Sequence, residues 1–277
     1  MQRPFAQVDV FTTGPGLGNP LAVVLDASGL SAREMQRFAR WTNLSETTFV
    51  LPPDDPAADY AVRIFTPQGE VPFAGHPTLG TCHAWLEAGG RPRDETTVVQ
   101  SCASGLIPVR RAGDGTLAFA EPPLLRSGPV EEALIERIAA SIGLERHDIA
   151  DAQWADNGPG WVAVLLQSAE AVLSVRPGAV FCDLGLLGLY PAGSPAALEV
   201  RAMWPQDGSV VEDPVTGSLN ASAAGWLVRS GRLTPPYVAT QGAAIGRAGR
   251  VEVTQDADGT IWTGGRSITV VTGTVDL

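Results

Sequence analysis

Val62-Arg63-Ile64-Phe65-Thr66-Pro67-Gln68 returns 138 positions later as Val200-Arg201-Ala202-Met203-Trp204-Pro205-Gln206. Just downstream, His76-Pro77-Thr78-Leu79-Gly80 resembles Asp213-Pro214-Val215-Thr216-Gly217 at an offset of 137. Each match runs into an Ala-rich stretch, 78–88 and 216–229, that ends at glycine. Upstream, the segment from Asn19 to Leu25 resembles the one from Asn157 to Leu165. Downstream, Val98-Val99-Gln100 and Asp114-Gly115-Thr116 answer Ala239-Thr240-Gln241 and Asp258-Gly259-Thr260. Matches in one order at half the chain length mean that one fold is present twice. The expected organisation is a first copy over 1–126 and a second over 127–277, with the C-terminal strand free to pair back with the first copy.

The elements of a copy follow from residue spacing. Gln7–Thr12 alternates as a strand does, Leu21–Leu25 reads as a buried strand, and Thr47–Leu51 and Tyr60–Phe65 are further strands. Ser31–Thr42 has helical spacing, with Ser31 as N-cap and Glu34 three residues on, a capping box. The stretch 78–86 is helical but nearly without a polar face, through Leu79, Cys82, Ala84, Trp85 and Leu86. Its counterpart carries Leu219, Ala221, Ala223, Ala224, Trp226, Leu227 and Val228. A helix that is apolar all round is a buried helix. Strands wrapped round one such helix, twice over, satisfy both patterns.

Composition narrows the chemistry. The chain has 277 residues, 44% hydrophobic, with a net charge of −11. A chain this acidic without a basic cluster is a poor partner for nucleic acid or an anionic membrane. The apolar run Trp161–Leu166 is far shorter than a bilayer span, and the N-terminus carries no signal-peptide pattern, so a cytoplasmic protein is expected. Three cysteines, Cys82, Cys102 and Cys182, make no disulfide framework. All 19 basic residues are Arg. Without lysine there is no internal Schiff base and no lysine-bearing phosphate loop.

His76 and Asp213 each precede a proline near the start of a buried helix. They read either as helix caps or as cleft groups. If the halves face each other about a pseudo-twofold axis, two helix N-termini meet, and their free N–H groups and dipoles make a site for a carboxylate.

Gly18-Asn19-Pro20, Asn43-Leu44-Ser45-Glu46-Thr47-Thr48, Phe65-Thr66-Pro67, Gly75-His76-Pro77-Thr78, Glu212-Asp213-Pro214-Val215-Thr216-Gly217-Ser218 and Gln241-Gly242 together resemble the PhzF family of phenazine-biosynthesis isomerase-like proteins. The resemblance runs through essentially the whole chain. It implies an α+β, diaminopimelate-epimerase-like fold of two pseudo-symmetric halves, each a mixed sheet round a central helix. It implies Glu46 as the acid/base, with His76 and Asp213 assisting, and Asn19, Ser45, Gly75, Gly217 and Ser218 around the substrate. It further implies isomerisation of a small carboxylic acid such as trans-2,3-dihydro-3-hydroxyanthranilate, without metal or organic cofactor, in a homodimer.

The chemistry is coherent from below, since moving a proton between carbons needs one group that alternates as base and acid. Three alternatives stand beside it. An epimerase of the same fold would use a thiol pair, one at each helix start, where this chain has His76 and Asp213. A metal site would draw on His76, Cys82 and His83, but a seven-residue spacing separates the two histidines by about 10 Å along a helix. A binding protein without turnover would have little need of Glu46, His76 and Asp213 together. Asn157-Gly158 reads as a tight turn, and as a second-half counterpart of Asn19.

Overall fold

The computed structural model describes residues 1–277 and places them in two compact units. The first comprises Met1–Ala120 and Gly264–Leu277, the second Glu121–Thr263. The division expected at 126 falls at 120 because the intervening segment is tied to second-unit strands. Glu121 N–H donates to the Ile261 carbonyl at 2.8 Å and Leu125 N–H to that of Asp156 at 2.7 Å.

Elements β1 (Gln2–Val10), β2 (Asn19–Val24), α1 (Ala32–Thr42), β3 (Thr47–Leu51), β4 (Tyr60–Phe65), β5 (Glu70–Val71), α2 (Gly75–Glu87), β6 (Thr97–Cys102), β7 (Gly105–Arg111) and β8 (Leu117–Ala120) belong to the first unit. The second holds β9 (Arg126–Pro129), α3 (Glu132–Ser141), β10 (Ile149–Asp156), β11 (Val162–Leu166), α4 (Ala169–Ser174), β12 (Leu184–Leu189), β13 (Leu198–Gln206), β14 (Ser209–Asp213), α5 (Gly217–Arg229), β15 (Tyr237–Gln241) and β16 (Gly249–Gln255). β17 (Ile261–Gly265) leads back to the first unit, where β18 (Ser267–Asp276) pairs antiparallel with β1.

The two units share one topology. In the first, β18, β1, β2, β3, β4, β6 and β7 pair in that order, parallel only at β2–β3 and β4–β6. In the second, β9, β10, β11, β12, β13, β15 and β16 do the same, parallel only at β11–β12 and β13–β15. Both parallel links carry a helix, as such connections require. α2 and α5 fill the longer ones. Both are buried on nearly every side, with Gly75–Cys82 and Leu219–Leu227 all inside. The Ser31–Glu34 capping box is present, with Ser31 N–H to Glu34 Oε2 at 2.8 Å and Glu34 N–H to Ser31 Oγ at 3.3 Å. α3 has no counterpart before β1 and packs Ile135, Ile138 and Ala139 into the second core.

The repeat register differs from the one expected. On the strands the offset is 138, but α2 and α5 open at Gly75 and Gly217, 142 positions apart. The extra four residues lie in the hairpin before the helix. Phe65 pairs with Glu70 in the first unit and Met203 with Glu212 in the second. His76 therefore corresponds to Ser218, and Asp213 corresponds to Val71. Matching His76 with Asp213 followed a shared proline, not a shared position.

That hairpin carries the same ion pair in both units. Arg63 donates from Nε and Nη2 to the two Glu70 oxygens at 2.7 and 2.6 Å. Arg201 does so to Glu212 at 2.9 and 2.7 Å. The first pair is 31% and 37% exposed, the second only 3% and 9%. Arg201 also donates from Nη1 to the Val172 and Val175 carbonyls at the end of α4. Arg201→Met strands a buried carboxylate and leaves these carbonyls unserved, at an expected cost of ~3–5 kcal/mol in chemical denaturation. Arg63→Met removes a half-exposed pair and should cost no more than ~1 kcal/mol. Equal losses would contradict this difference in burial.

Candidate active site

In the first unit the site forms where α2 begins. Asn43 takes the left-handed conformation (φ 54°), ends α1 and turns the chain toward β3. Ser45 and Glu46 occupy that short link, and Glu46 immediately precedes β3. The Glu46 side chain is 17% exposed and that of His76 5%. His76 Nδ1 lies 3.5 Å from Glu46 Oε2 and 3.5 Å from Asn19 Nδ2. Asn19 is buried behind the imidazole at the head of β2, where it orients His76. The turn before it is built on Asp9, whose Oδ2 accepts from the Leu17 and Gly18 N–H groups, each at 2.9 Å, and from Thr12 Oγ1 at 3.0 Å. Gly18 is required there because a Cβ would lie 2.2 Å from the Val10 carbonyl oxygen.

His76 is not a helix cap. It is the second residue of α2, whose N-cap is Ala74. Pro77 follows inside the first turn, where its missing N–H costs nothing. Burial pushes the His76 pKa down to about 3, against a smaller opposing effect of the Pro20 carbonyl. The ring is therefore neutral near pH 7, and its 3.5 Å approach to Glu46 Oε2 is a close polar contact rather than an ion pair. With the proton on Nδ1 the ring donates to a Glu46 carboxylate. With the proton on Nε2, the single Nδ1 lone pair faces both groups and can accept from either Asn19 Nδ2 or a Glu46 carboxylic acid. A change of tautomer thus lets the ring face either protonation state of Glu46, with the Asn19 amino group giving up its contact when Nδ1 is protonated, which suits a group acting in turn as base and acid.

In the second unit the corresponding place is the start of α5. Asp213, buried at the end of β14, is not a cap either, since the N-cap is Thr216. Its Oδ2 accepts from Thr216 Oγ1 at 2.6 Å. The buried Gln241 braces this turn, with Nε2 donating to Thr216 Oγ1 at 2.9 Å and to the Asp213 carbonyl at 3.2 Å. Gln241 Oε1 accepts from the Thr216 N–H at 3.0 Å and from Asn220 Nδ2 at 2.8 Å. Ser218 receives Trp161 Nε1–H on its hydroxyl at 2.9 Å and Asn157 Nδ2 on its carbonyl at 3.0 Å. Asn157 thus reaches the second residue of α5 as Asn19 reaches the second residue of α2.

Thr216, Gln241, Asn220 and Trp161 were not expected as site-building residues. The sequence signal was the match of Gln100 with Gln241. Gln100 Nε2 donates to Thr78 Oγ1 at 3.0 Å, and Thr78 returns its hydroxyl to the Ala74 carbonyl at 3.0 Å. Asp183 precedes β12 as Glu46 precedes β3. Burial, helped by Asp156, pushes its pKa up. Neither α2 nor α5 has a side-chain cap, whereas Ser31 caps α1 and Ser168 caps α4. First-turn N–H groups at Gly75, Gly217 and Ser218 are thus not taken by a capping side chain, an arrangement suited to an anion. Cys82 is buried in α2, its thiol pushed up to about 12 by desolvation, so it is no acid/base at neutral pH.

The chain matches the family model described as phenazine biosynthesis-like protein, PhzC-PhzF, over residues 8–273. It is 35% identical to the trans-2,3-dihydro-3-hydroxyanthranilate isomerase of Pseudomonas aeruginosa, over 89% of this chain and 88% of that one. It is 33% identical to a Schizosaccharomyces pombe protein named antisense-enhancing sequence 1, over 98% of each. A Bacillus anthracis phenazine biosynthesis protein of the PhzF family superimposes with a TM-score of 0.83 at 25% identity, over the full length of both. The fold is the α+β, diaminopimelate-epimerase-like one, and the protein is an isomerase. The chain belongs to the phenazine biosynthesis-like PhzC-PhzF family.

Neutral burial of His76 has a consequence for stability. The unfolded chain binds a proton at His76 near pH 6.5, the folded chain only near pH 3. Between these values the unfolded state holds more protons, so the contribution is complete above pH 6.5 and is lost as pH falls. Comparing denaturation of the wild type and His76→Gln from pH 7 to 4.5 should show their difference drifting against the wild type by up to ~1.4 kcal/mol per pH unit. A difference that does not change with pH would mean that the ring is not buried in its neutral form.

Proposed function

We propose that this isomerase moves a proton between two carbons of a small cyclic carboxylic acid, of the kind named for its Pseudomonas aeruginosa relative. Glu46 takes the proton from one carbon and returns it to another, His76 assists its change of protonation state, and Asp213 assists proton handling. The observation that carries this reading is the 3.5 Å approach of Glu46 Oε2 to a buried imidazole of pKa about 3. The pair is flanked by Asn19, whose Nδ2 lies 3.5 Å from His76 Nδ1. Substrate contacts are assigned to Ser45, Gly75, Gly217 and Ser218, where first-turn N–H groups meet the carboxylate or a developing oxyanion. Thiol chemistry of the epimerase kind has less support, because neither α2 nor α5 has a cysteine in its first turn. No helix is long and apolar enough to cross a membrane. We place the protein in the cytoplasm as a homodimer, without nucleic-acid or membrane partners; the net charge of −11 supports the last point.

Glu46→Gln preserves size but cannot accept the proton. With trans-2,3-dihydro-3-hydroxyanthranilate as substrate it should lower turnover by at least the ~10²–10⁴-fold of a lost general base. Solvent deuterium should enter the product carbon with the wild type and not with the variant. Full activity in Glu46→Gln would transfer the role of base to His76 or Asp213.

A further inference from the structure

The hydrogen bonds around Asp213 have a fixed direction, and backbone groups fix it. The Thr216 N–H can only donate, so the Gln241 atom that it meets at 3.0 Å is the amide oxygen. The Asp213 carbonyl can only accept, so the Gln241 atom 3.2 Å from it is the amino nitrogen. The Thr216 carbonyl sets Asn220 in the same way, through Nδ2 at 2.9 Å, and Asn220 Nδ2 then points at Gln241 Oε1. With Gln241 so oriented, Thr216 Oγ1 receives a proton from Nε2 at 2.9 Å. Its own hydrogen is directed to Asp213 Oδ2, 2.6 Å away, a length typical of a hydroxyl bound to a carboxylate. Asp213, Thr216, Asn220 and Gln241 are all buried, so water does not compete for these bonds.

We propose that Thr216 and Gln241 are positioning residues for Asp213, and that they confine its proton traffic to Oδ1. Oδ2 is held as an acceptor by the Thr216 hydroxyl, and a proton on Oδ2 would turn that hydrogen away and lose the 2.6 Å bond, whereas a proton on Oδ1 leaves the chain intact. This goes further than the proton-handling role given to Asp213 above and rests on it. It also separates Asp213 from Glu46, whose partner imidazole can donate or accept at Nδ1.

The direction of the chain is read from neutron diffraction on crystals of the perdeuterated protein at neutral pH. The expected result is a deuteron on Thr216 Oγ1 directed at Asp213 Oδ2, with the Gln241 amino deuterons facing Thr216. A deuteron on Asp213 Oδ2, or a Thr216 deuteron directed at Gln241, overturns the proposal. Its role in turnover is read from Thr216→Val, Thr216→Ser and Gln241→Glu, the last removing the amino donor that orients the hydroxyl. With trans-2,3-dihydro-3-hydroxyanthranilate, Thr216→Val and Gln241→Glu should lose at least about tenfold in kcat with KM within about threefold, as expected for a misplaced catalytic group. Thr216→Ser keeps the hydroxyl and should restore kcat to within about threefold of wild type. Thr216→Val covers the case in which a buried Gln241→Glu fails to fold. Glu46→Gln and Asp213→Asn are measured alongside. If both are impaired while Thr216→Val is not, the positioning role is wrong and the reading of the site survives. If Glu46→Gln is fully active, that reading fails, while the neutron result still decides the direction of the chain.

Discussion

A helix without a polar face has to be enclosed, yet its first turn carries N–H groups that have no partner within the helix. That constraint shapes both units. The side chains of α2 and α5 are satisfied by wrapping a mixed sheet round them. Their starts are not, and buried polar residues gather there. In the first unit these are Asn19, Gln100 and Thr78, in the second Gln241 and Asn220, with the half-buried Asn157 beside them. The parallel partners of the central strands, β6 and β15, deliver Gln100 and Gln241 to the helix starts. The place where backbone hydrogen bonding is hardest to complete is where Glu46 with His76, and Asp213 with Thr216, are found.

Much of this was legible in the sequence because it rests on local periodicity. The absence of a polar face in 78–86 and 217–228 was enough to bury both helices, and Ser31 with Glu34 was enough to start α1. The duplicated topology followed from the order of the matches. What the sequence hid was the length of a hairpin. His76-Pro77 and Asp213-Pro214 look alike, but the strand pairing gives the second hairpin four more residues and shifts the helix register from 138 to 142. Sequence likeness measures residue type, whereas register is set by which backbone groups meet across the hairpin. The Gln241 brace was hidden for a related reason. A glutamine in a strand reads as an exposed side chain until its partners, which lie 21 to 28 residues away, are known.

The corrected register changes how the duplication is understood. Equivalent positions do not carry equivalent chemistry. The second residue of the central helix is an imidazole in one unit and a serine in the other, each reached by an asparagine from the head of the second strand or the turn before it. The position of Asp213 is taken by Val71 in the first unit. What the two copies keep is the frame: the buried helix, the glutamine brace, the asparagine contact and the hairpin ion pair. The chemistry is laid over that frame differently on each side.

This division bears on reversibility. A proton carrier that must return what it takes needs a partner that donates or accepts without rebuilding its surroundings. In the role proposed for Glu46, the neutral imidazole beside it helps to meet that need, because changing tautomer costs far less than charging a buried ring. Asp213 is surrounded by the opposite arrangement, a chain of donors whose direction two backbone carbonyls and one N–H dictate. Preorganised donors of this kind are strongest where water is excluded and nothing has to turn during the reaction. The fold therefore supplies one carboxylate with a reversible partner and another with a fixed one, and it does so with the same buried helix start, used twice.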